Sequence, residues 1–313
     1  MNVLSLFDGI SCGRVALERA EIKVNNYFAC EIDDHAKIIS NNNYPEIIQL
    51  GDVLDLDVDS LPKIDLVIGG SPCQGFSRAG VGLNFDDPRS KLFFEFVNIL
   101  NKLKEKNPDI KFLLENVSMK QEWRDIISDY LGVGYIAINS DLVSAQRRSR
   151  LYWTNIEDVE LPTDKGILIK DILDYDRANW SYLRNDYFDG LNAGVHQNSD
   201  GSHVAFIPEA TKKGFVVLKD GDCVDLSFPK SKTRRGRLML EKSNCLTATP
   251  GSFCQFIDGW FRFITVLEME RLQTLPDNYT FGVSDSQRKK AIGNGWTVDV
   301  ITHIFKKLKG DAM

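Results

Sequence analysis

The sequence contains few of the residues that build metal sites or disulfide-linked folds. Its 313 residues include six cysteines and four histidines, and no two cysteines have Cys-x-x-Cys spacing. Structural zinc sites are commonly assembled from such closely spaced pairs, so we expect no bound metal. A continuous apolar run of about 20 residues, the length that crosses a bilayer, is also missing, and we expect no membrane segment.

The start of the chain lacks the pattern of a secretory signal, in which a basic region precedes an apolar stretch. Residues Met1 to Phe7 have instead the pattern of a first β-strand, so we expect the native start at or near Met1. Without a secretory signal, we expect a cytoplasmic protein whose thiols stay reduced.

Positive charge is not in excess, because 38 lysines and arginines stand against 44 aspartates and glutamates, for a net charge of −6. A negative net charge argues against non-specific coating of nucleic acid. Two basic clusters, residues 147–150 and 230–237, still permit nucleic-acid binding through one local face. Either cluster alone is more often a solvated surface than a binding site.

The first half of the chain alternates short apolar runs with helical patterns, which predicts an α/β fold with a mostly parallel sheet. The predicted strands are residues 3–7, 27–31, 66–69, 112–115 and 135–139, with a further strand after residue 146. The predicted helices are residues 13–20, 34–42, 90–106, 121–131, 265–273 and 297–308.

The pattern changes after about Leu161. Residues 175–262 are rich in Gly, Asp, Asn and Ser and have no long helical period, which indicates a loop-rich, partly β unit. We predict a larger domain formed by residues 1–174 and 263–313, and a smaller domain formed by residues 175–262.

Three segments, two of which follow predicted strands, have the residues of a nucleoside site. Phe7 to Gly13 form a glycine-rich turn, Glu31 and Ile32 follow the second strand, and Asp52 and Val53 come later. An acidic residue after the second strand can bind ribose hydroxyls. Gly-x-Gly-x-x-Gly is absent, so the pattern favours a nucleoside-containing cofactor without a pyrophosphate. Taken singly, each acidic residue is as readily a helix cap.

Cys73 follows a predicted buried strand within the run Gly69-Gly70-Ser71-Pro72-Cys73-Gln74-Gly75-Phe76-Ser77. Such a turn presents the thiol at the carboxyl end of the strand, where open α/β sheets place their chemistry. A lone cysteine is more often a small buried hydrophobe, so this interpretation depends on the other motifs.

Two further motifs supply polar groups to the same edge of the sheet. Glu115 ends another predicted strand and would need a pKa raised by burial to protonate a ring nitrogen. Gln146, Arg148 and Arg150 alternate along an extended segment and so share one face. Three such donors suit a phosphate, a carboxylate or a base edge.

These motifs, in this order, resemble the DNA (cytosine-5) methyltransferase family. The match covers nearly the whole larger domain and resumes at residues 268–277 and 293–295. Ser5 and Trp296 depart from the usual family pattern and are similar to the eukaryotic de novo branch. The resemblance implies a Rossmann-like methyltransferase sheet with helices on both faces and a smaller target-recognition domain.

The resemblance implies methyl transfer from S-adenosyl-L-methionine, with S-adenosyl-L-homocysteine as product, to C5 of a flipped cytosine in double-stranded DNA. Cys73 is the expected nucleophile toward C6, and Glu115, Arg148 and Arg150 complete the expected catalytic set. Residues expected to bind the cofactor are Phe7, Asp8, Gly9, Ile10, Gly13, Glu31, Ile32, Asp52, Val53, Pro72, Asn294 and Trp296. Residues expected to contact DNA are Gln74, Ser77, Arg78, Arg234, Arg235 and Arg237.

Segment 74–88 has three glycines and is expected to close over the flipped base; the alternative is a disordered surface loop. A tRNA cytosine-5 methyltransferase and a catalytically silent DNA-binding homologue remain as alternative functions. The first would carry a Cys-Phe-Thr signature, which is absent. We expect a prokaryotic or phage-encoded, nucleoid-associated monomer that is restriction-linked, orphan or phage-borne.

Overall fold

Seven strands form a central mixed sheet in the computed structural model, which describes residues 1–71, 88–189, 193–249 and 251–312. They are β1 (Asn2–Leu6), β2 (Asn26–Cys30), β3 (Ile48–Gly51), β4 (Leu66–Gly69), β5 (Lys111–Val117), β6 (Tyr135–Asn139) and β7 (Ser149–Thr154). Their order is β3-β2-β1-β4-β5-β7-β6. The first five strands in this order are mutually parallel, and β7 is antiparallel to both β5 and β6.

Helices cover both faces of this sheet. They are α1 (Cys12–Arg19), α2 (Asp34–Asn43), α3 (Pro88–Lys106), α4 (Gln121–Leu131), α5 (Val266–Leu272), α6 (Asp285–Asn294) and α7 (Val298–Phe305). Alternate residues of β4 belong to separate cores: Leu66 and Ile68 pack with α1 and α7, whereas Val67 packs with α3 and α4. This alternation follows from the period of two along a strand and confirms the predicted α/β fold.

Sequence reasoning missed β3 and α6. β3 is a short edge strand whose residues are all partly or fully exposed, so it lacks the apolar run that marks a buried strand. Helix α6 is mostly polar, and only Ile292 and Gly293 are buried. It therefore has no apolar stripe from which helical periodicity could be recognised.

Two small antiparallel sheets lie between residues 194 and 263. One contains β8 (Gly194–Gln197), β9 (His203–Pro208) and β10 (Phe215–Lys219). The other contains β11 (Cys223–Asp225), β12 (Arg237–Met239), β13 (Phe253–Ile257) and β14 (Trp260–Phe263). Val224, Phe256 and Phe261 belong to a third core that the two sheets share. Within the described residues, no helix has the length and apolarity to cross a membrane.

A fully buried ion pair joins the last small-sheet strand to α5. Arg262 Nη2 lies 2.8 Å from Glu268 Oε1, and neither side chain is accessible to solvent. The Arg262 guanidinium also lies 4.6 Å from the Trp180 ring centre and donates to Gln255 Oε1 at 2.8 Å. Glu268 accepts hydrogen bonds from the backbone N–H groups of Asp174 and Thr265. Both charges are therefore surrounded by partners, as burial in an apolar environment requires.

Replacement of Glu268 by alanine should lower the free energy of unfolding by about 3–5 kcal/mol, because it leaves the Arg262 charge buried without its partner. Asp186→Ala is a suitable control, since it breaks an exposed pair with Arg184 and should cost below about 1 kcal/mol. Urea unfolding measures both changes. Equal small losses in the two variants would contradict a structural role for the buried pair.

Candidate active site

Four loops meet at the carboxyl edge of the sheet, because β3, β2, β1 and β4 are adjacent and parallel. They begin at Asp52, Glu31, Phe7 and Gly70, respectively. The predicted cofactor loops and the start of the predicted nucleophile loop thus share one edge, where open α/β sheets bind ligands.

The loop after β1 has an unusual backbone. Phe7, Gly9 and Ser11 have φ values of 60°, 60° and 59°, in the left-handed region. The Asp8 backbone N–H donates to Cys30 O at 3.0 Å, and the Tyr279 hydroxyl donates to Ile10 O at 2.7 Å. Contacts from β2 and from the C-terminal part of the chain therefore hold a conformation that most residues disfavour.

The Asp8 carboxylate lies beneath this loop among polar neighbours. It accepts hydrogen bonds from Tyr27 Oη at 2.7 Å and from the Ser11 hydroxyl. Burial raises the pKa of Asp8 from 3.8 to about 6, although the hydrogen bonds from Ser11 and Tyr27 oppose the shift. The carboxyl is consequently close to its titration range at neutral pH.

Glu31 connects the first two loops. Its Oε2 accepts from Gly9 N at 2.7 Å, and its Oε1 accepts from the N–H groups of Ile32 and Asp33, both at 2.8 Å. The Ile32 side chain beside it is 69% exposed, which leaves an apolar surface next to a fixed carboxylate. Asp52 accepts from Leu54 N at 3.0 Å, and the following Val53 is buried.

Trp296 lies between the first loop and the end of β4. A methyl group on Gly13 would lie 3.6 Å from its ring. One on Gly70 would lie 2.9 Å from Trp296 Nε1 and 3.1 Å from Glu115 Oε2. The indole and the carboxylate therefore both approach the backbone of Gly70, and only glycine fits there. Asn294, the last residue of α6 and two residues before Trp296, is exposed.

Glu115 and Arg150 form a shielded ion pair across β5 and β7. Glu115 Oε1 lies 3.0 Å from Arg150 Nε, and the two side chains are only 11% and 14% exposed. Burial is the largest single influence and opposes the Arg150 charge, but Glu115, Cys245 and Tyr152 together outweigh it and raise the pKa of Arg150 above its usual value. The structure thus brings together two of the four predicted catalytic side chains.

Asn116 holds the start of the predicted nucleophile loop. Its Nδ2 donates to Ser71 O at 3.3 Å and to Ser71 Oγ at 3.2 Å. This function of Asn116 was not predicted, although the residue directly follows Glu115. Five predicted site residues that follow Ser71 lie outside the described residues and stay predictions, namely Pro72, Cys73, Gln74, Ser77 and Arg78. The predicted closing segment also falls almost entirely there.

Arg148 faces main-chain carbonyls. Its Nη1 donates to Leu246 O at 2.8 Å, and its Nη2 donates to Gly293 O at 3.2 Å and Gly295 O at 2.9 Å. Burial, together with the neighbouring Arg150 charge, lowers the pKa of Arg148. Within the described residues, the side-chain partner of its guanidinium is Cys245 Sγ, which lies 3.4 Å from Nη1. We therefore interpret Arg148 as a positioning residue.

Gln146 and Gln273 extend this buried network. Gln146 Nε2 donates to Gln273 Oε1 at 3.2 Å, and its own Oε1 accepts from Leu246 N at 2.8 Å. Gln273 Nε2 donates to Ile292 O at 2.8 Å. Gln273 lies in the matched range 268–277, but no function was predicted for it, because its partners are far away in the chain.

The three arginines predicted to contact DNA have different surroundings. Arg237 pairs with the buried carboxylate of Asp225. Arg235 donates to the carbonyls of Glu209 and Ser231, both at 3.2 Å. Arg234 is exposed and its guanidinium lies over the Phe228 ring, 4.0 Å from the centre. In the part of the chain that is described, no cluster of three or more His, Cys, Asp or Glu side chains could hold a metal.

Comparison with known proteins identifies the family. The model of the C-5 cytosine-specific DNA methylase family matches residues 1–310. Type II methyltransferase M.HaeII of Haemophilus aegyptius is 30% identical over 321 residues, covering 97% of this chain and 91% of its own. Type II methyltransferase M1.ScrFI of Lactococcus lactis subsp. cremoris is 28% identical over 332 residues, covering 98% of this chain and 77% of its own.

The fold is shared with solved methyltransferase structures. Entamoeba histolytica EhMeth superimposes with a TM-score of 0.70 at 18% identity, and the match covers 100% of this chain and 99% of that one. The predicted family resemblance and the predicted fold class are both confirmed.

Asp8→Asn should change how stability depends on pH. The folded protein keeps Asp8 protonated up to about pH 6, whereas the unfolded chain loses this proton at about pH 4. The protonated carboxyl therefore stabilises the fold fully below about pH 4, and this contribution is lost as the pH rises through 6. The variant should therefore gain up to about 2 kcal/mol in unfolding free energy relative to the wild type between about pH 4 and pH 7. Denaturant unfolding at several pH values measures the difference.

Asp277→Asn is the control with the opposite sign. The hydrogen bond from Arg271 lowers the pKa of Asp277, so this carboxylate stabilises the fold only once it is ionised. The Asp277 variant should lose stability relative to the wild type as the pH rises. A difference between Asp8→Asn and wild type that stays constant with pH would disprove the assignment.

Proposed function

This chain belongs to the C-5 cytosine-specific DNA methylase family, and on that premise we propose that its own residues around Gly70 methylate cytosine at C5 in double-stranded DNA. The observation that best supports this proposal is the shielded pair of Glu115 and Arg150, which lies beside the end of the strand that leads into Cys73. A carboxylate and a guanidinium, held together out of bulk water, can bind the polar edge of one extruded base.

The loops after β1, β2 and β3 fit S-adenosyl-L-methionine. Glu31 is held by three backbone N–H groups, so its position for ribose hydroxyls is fixed. The exposed Ile32 and the neighbouring Phe7 offer apolar surface to the adenine, and Asp52 and Val53 supply a polar and an apolar contact. Asp8, Gly9, Ile10, Gly13, Pro72, Asn294 and Trp296 complete the proposed cofactor site. When bound, this cofactor supplies an activated methyl group and leaves as S-adenosyl-L-homocysteine.

Cys73 is the proposed nucleophile. Its thiolate adds to C6 of cytosine, and the electron pair of the C5–C6 double bond moves toward C5, which becomes nucleophilic. After methylation at C5, the C5 proton passes to water, the C5–H electron pair re-forms the C5–C6 double bond, and the C6–S bond breaks to release the Cys73 thiolate. A free thiol with a pKa of about 8.5 is only about 3% ionised at pH 7, so a nearby positive charge is required. We assign that function to Arg150.

Glu115 and Arg150 share the proposed activation of the ring. The Glu115 carboxylate stabilises the protonated N3 of cytosine, which makes C6 more electrophilic. Arg150 orients this carboxylate and binds the O2 side of the ring. Arg148 acts through its neighbours, because its guanidinium holds the backbone at Leu246, Gly293 and Gly295. Asn116 sets the position of Ser71, two residues before the nucleophile.

The two small sheets fit a target-recognition domain formed by residues 175–262, with residues 1–174 and 263–313 as the catalytic domain. The basic run 230–237 lies in this unit and suits contacts with a phosphate backbone. The cytosine must leave the stack to reach Cys73, at a cost of a few kcal/mol. The names of the two type II relatives favour a restriction–modification role beside a cognate endonuclease.

The chemistry can be tested by trapping. Wild-type protein, with S-adenosyl-L-methionine, should form a covalent adduct with duplex DNA that contains 5-fluorocytosine, because fluorine at C5 blocks the proton loss that releases the enzyme. The matched duplex with ordinary cytosine should be methylated and released. Cys73→Ala should form no adduct and show no turnover, while its cofactor affinity stays near that of the wild type. An adduct with Cys73→Ala, or methylation of tRNA instead of DNA, would contradict the proposal.

The cofactor site has a separate test. Glu31→Ala removes a fixed carboxylate and should weaken S-adenosyl-L-methionine binding by about tenfold or more, as expected for hydrogen bonds to a charged group. Asp34→Ala, three residues away, is the control, because its carboxylate is 85% exposed and pairs with Lys37. Calorimetry measures both affinities, and thermal unfolding checks that each variant is folded. Equal affinity in the two variants would refute the ribose-binding assignment.

A further inference from the structure

The three arginines of the basic run 230–237 have different interaction partners. Arg235 is occupied by two carbonyls and Arg237 by a buried carboxylate. The Arg234 guanidinium makes no hydrogen bond or ion pair within the described residues, and it is stacked over Phe228 at 4.0 Å. Only Arg234 therefore combines a fixed orientation with donors that are available to a ligand.

Arg234 lines a cavity between the second small sheet and the catalytic core. The cavity has a volume of about 380 Å³, and Phe228, Asn244, Thr247 and Lys289 also line it. This volume suits part of a nucleotide better than a whole oligonucleotide. Because Lys289 belongs to α6 and Phe228 follows β11, both parts of the protein contribute to its walls.

Cys245 connects this cavity to the Glu115–Arg150 pair. Cys245 lines the cavity, and its Sγ lies 3.8 Å from Arg150 Nη2. Arg150 in turn contacts Glu115 at 3.0 Å. A nucleotide in the cavity would therefore lie close to the cytosine that the pair is proposed to bind.

The position of the Arg234 guanidinium over the Phe228 ring suits it to a planar base edge. A ring beneath a guanidinium fixes the plane of its N–H donors, and a planar fork matches two acceptors in one plane. The O6 and N7 atoms of guanine present such acceptors in the major groove, and their bidentate contact with arginine is the commonest specific one. A guanidinium fork can also bind a phosphate, but the exposed Lys230 and Lys232 can serve the phosphate backbone, whereas the cavity that includes Cys245 places Arg234 near the proposed base site.

We propose that Arg234, held by Phe228, determines sequence specificity by reading a guanine close to the target cytosine. This inference rests on the proposed function. Of the three candidate arginines, it makes Arg234 the one that recognises a base. Arg235 and Arg237 hold the backbone and side chains around Arg234. Arg235 donates to Ser231 O, and Arg237 pairs with Asp225, which also accepts from Asn244 Nδ2 at 3.0 Å.

The test uses the full-length protein and a pool of duplexes with randomised bases around a fixed cytosine, methylated with S-adenosyl-L-methionine and sequenced after bisulfite treatment. Wild type should require guanine at one position near the cytosine. Arg234→Ala and the charge-conserving Arg234→Lys should both reduce that preference about tenfold or more. Phe228→Ala should reduce it less, because the arginine remains but loses its fixed plane.

Lys232→Ala is the matched control from the same basic run. It should weaken binding uniformly across sequences and lower the salt dependence, while the preference at every position stays unchanged. If Arg234→Ala also lowers methylation of all sequences equally, Arg234 contacts a phosphate and the inference is wrong. If the wild type methylates no duplex at all, the proposed function itself fails, and that outcome is distinct because it does not depend on the variants.

Discussion

The burial of the Arg148 guanidinium constrains the rest of the active site. Arg148 lies just before β7, and its donors meet carbonyls in two other stretches of the chain: that of Leu246 in one, and those of Gly293 and Gly295 in the other. A buried charge without partners is costly, and so is a buried carbonyl without a donor. Each group therefore stabilises the other only if all three stretches are in place. The segment that leads into β7, the segment before β13 and the end of α6 are consequently held together at one point.

The Arg148 guanidinium lies next to the Glu115–Arg150 pair, since Arg148 and Arg150 both contact Cys245 Sγ. Arg150, two residues further along β7, faces Glu115, and the C-terminal turn after α6 brings Trp296 to Gly70. Main-chain geometry thus decides where the ion pair and the indole lie. Because Glu115 and Arg150 are held by each other on a fixed backbone, ordering their side chains costs little further entropy.

The parts that could be predicted from sequence are those with local signals. Strands β1, β4 and β6 were recognisable from apolar runs, and the motif order identified the loops at the carboxyl edge. Arg148 was predicted to act near the thiol, but its partners are backbone carbonyls about 100 residues away or more, and no side-chain pattern marks them. The same reason hid Lys242, whose Nζ donates to the carbonyls of Asp141, Ser144 and Ile167.

One close approach limits how this architecture can diversify. Any side chain on Gly293 would meet the Thr247 carbonyl at 2.2 Å, so α6 and the segment around Thr247 are in direct backbone contact. Lys242 and Gln146 attach the same segment to the central sheet. A chimaera that exchanges recognition units between relatives must therefore preserve the contacts of residues 242–248 with the catalytic core. These residues lie between β12 and β13 of one small sheet, so a junction placed there would separate paired strands.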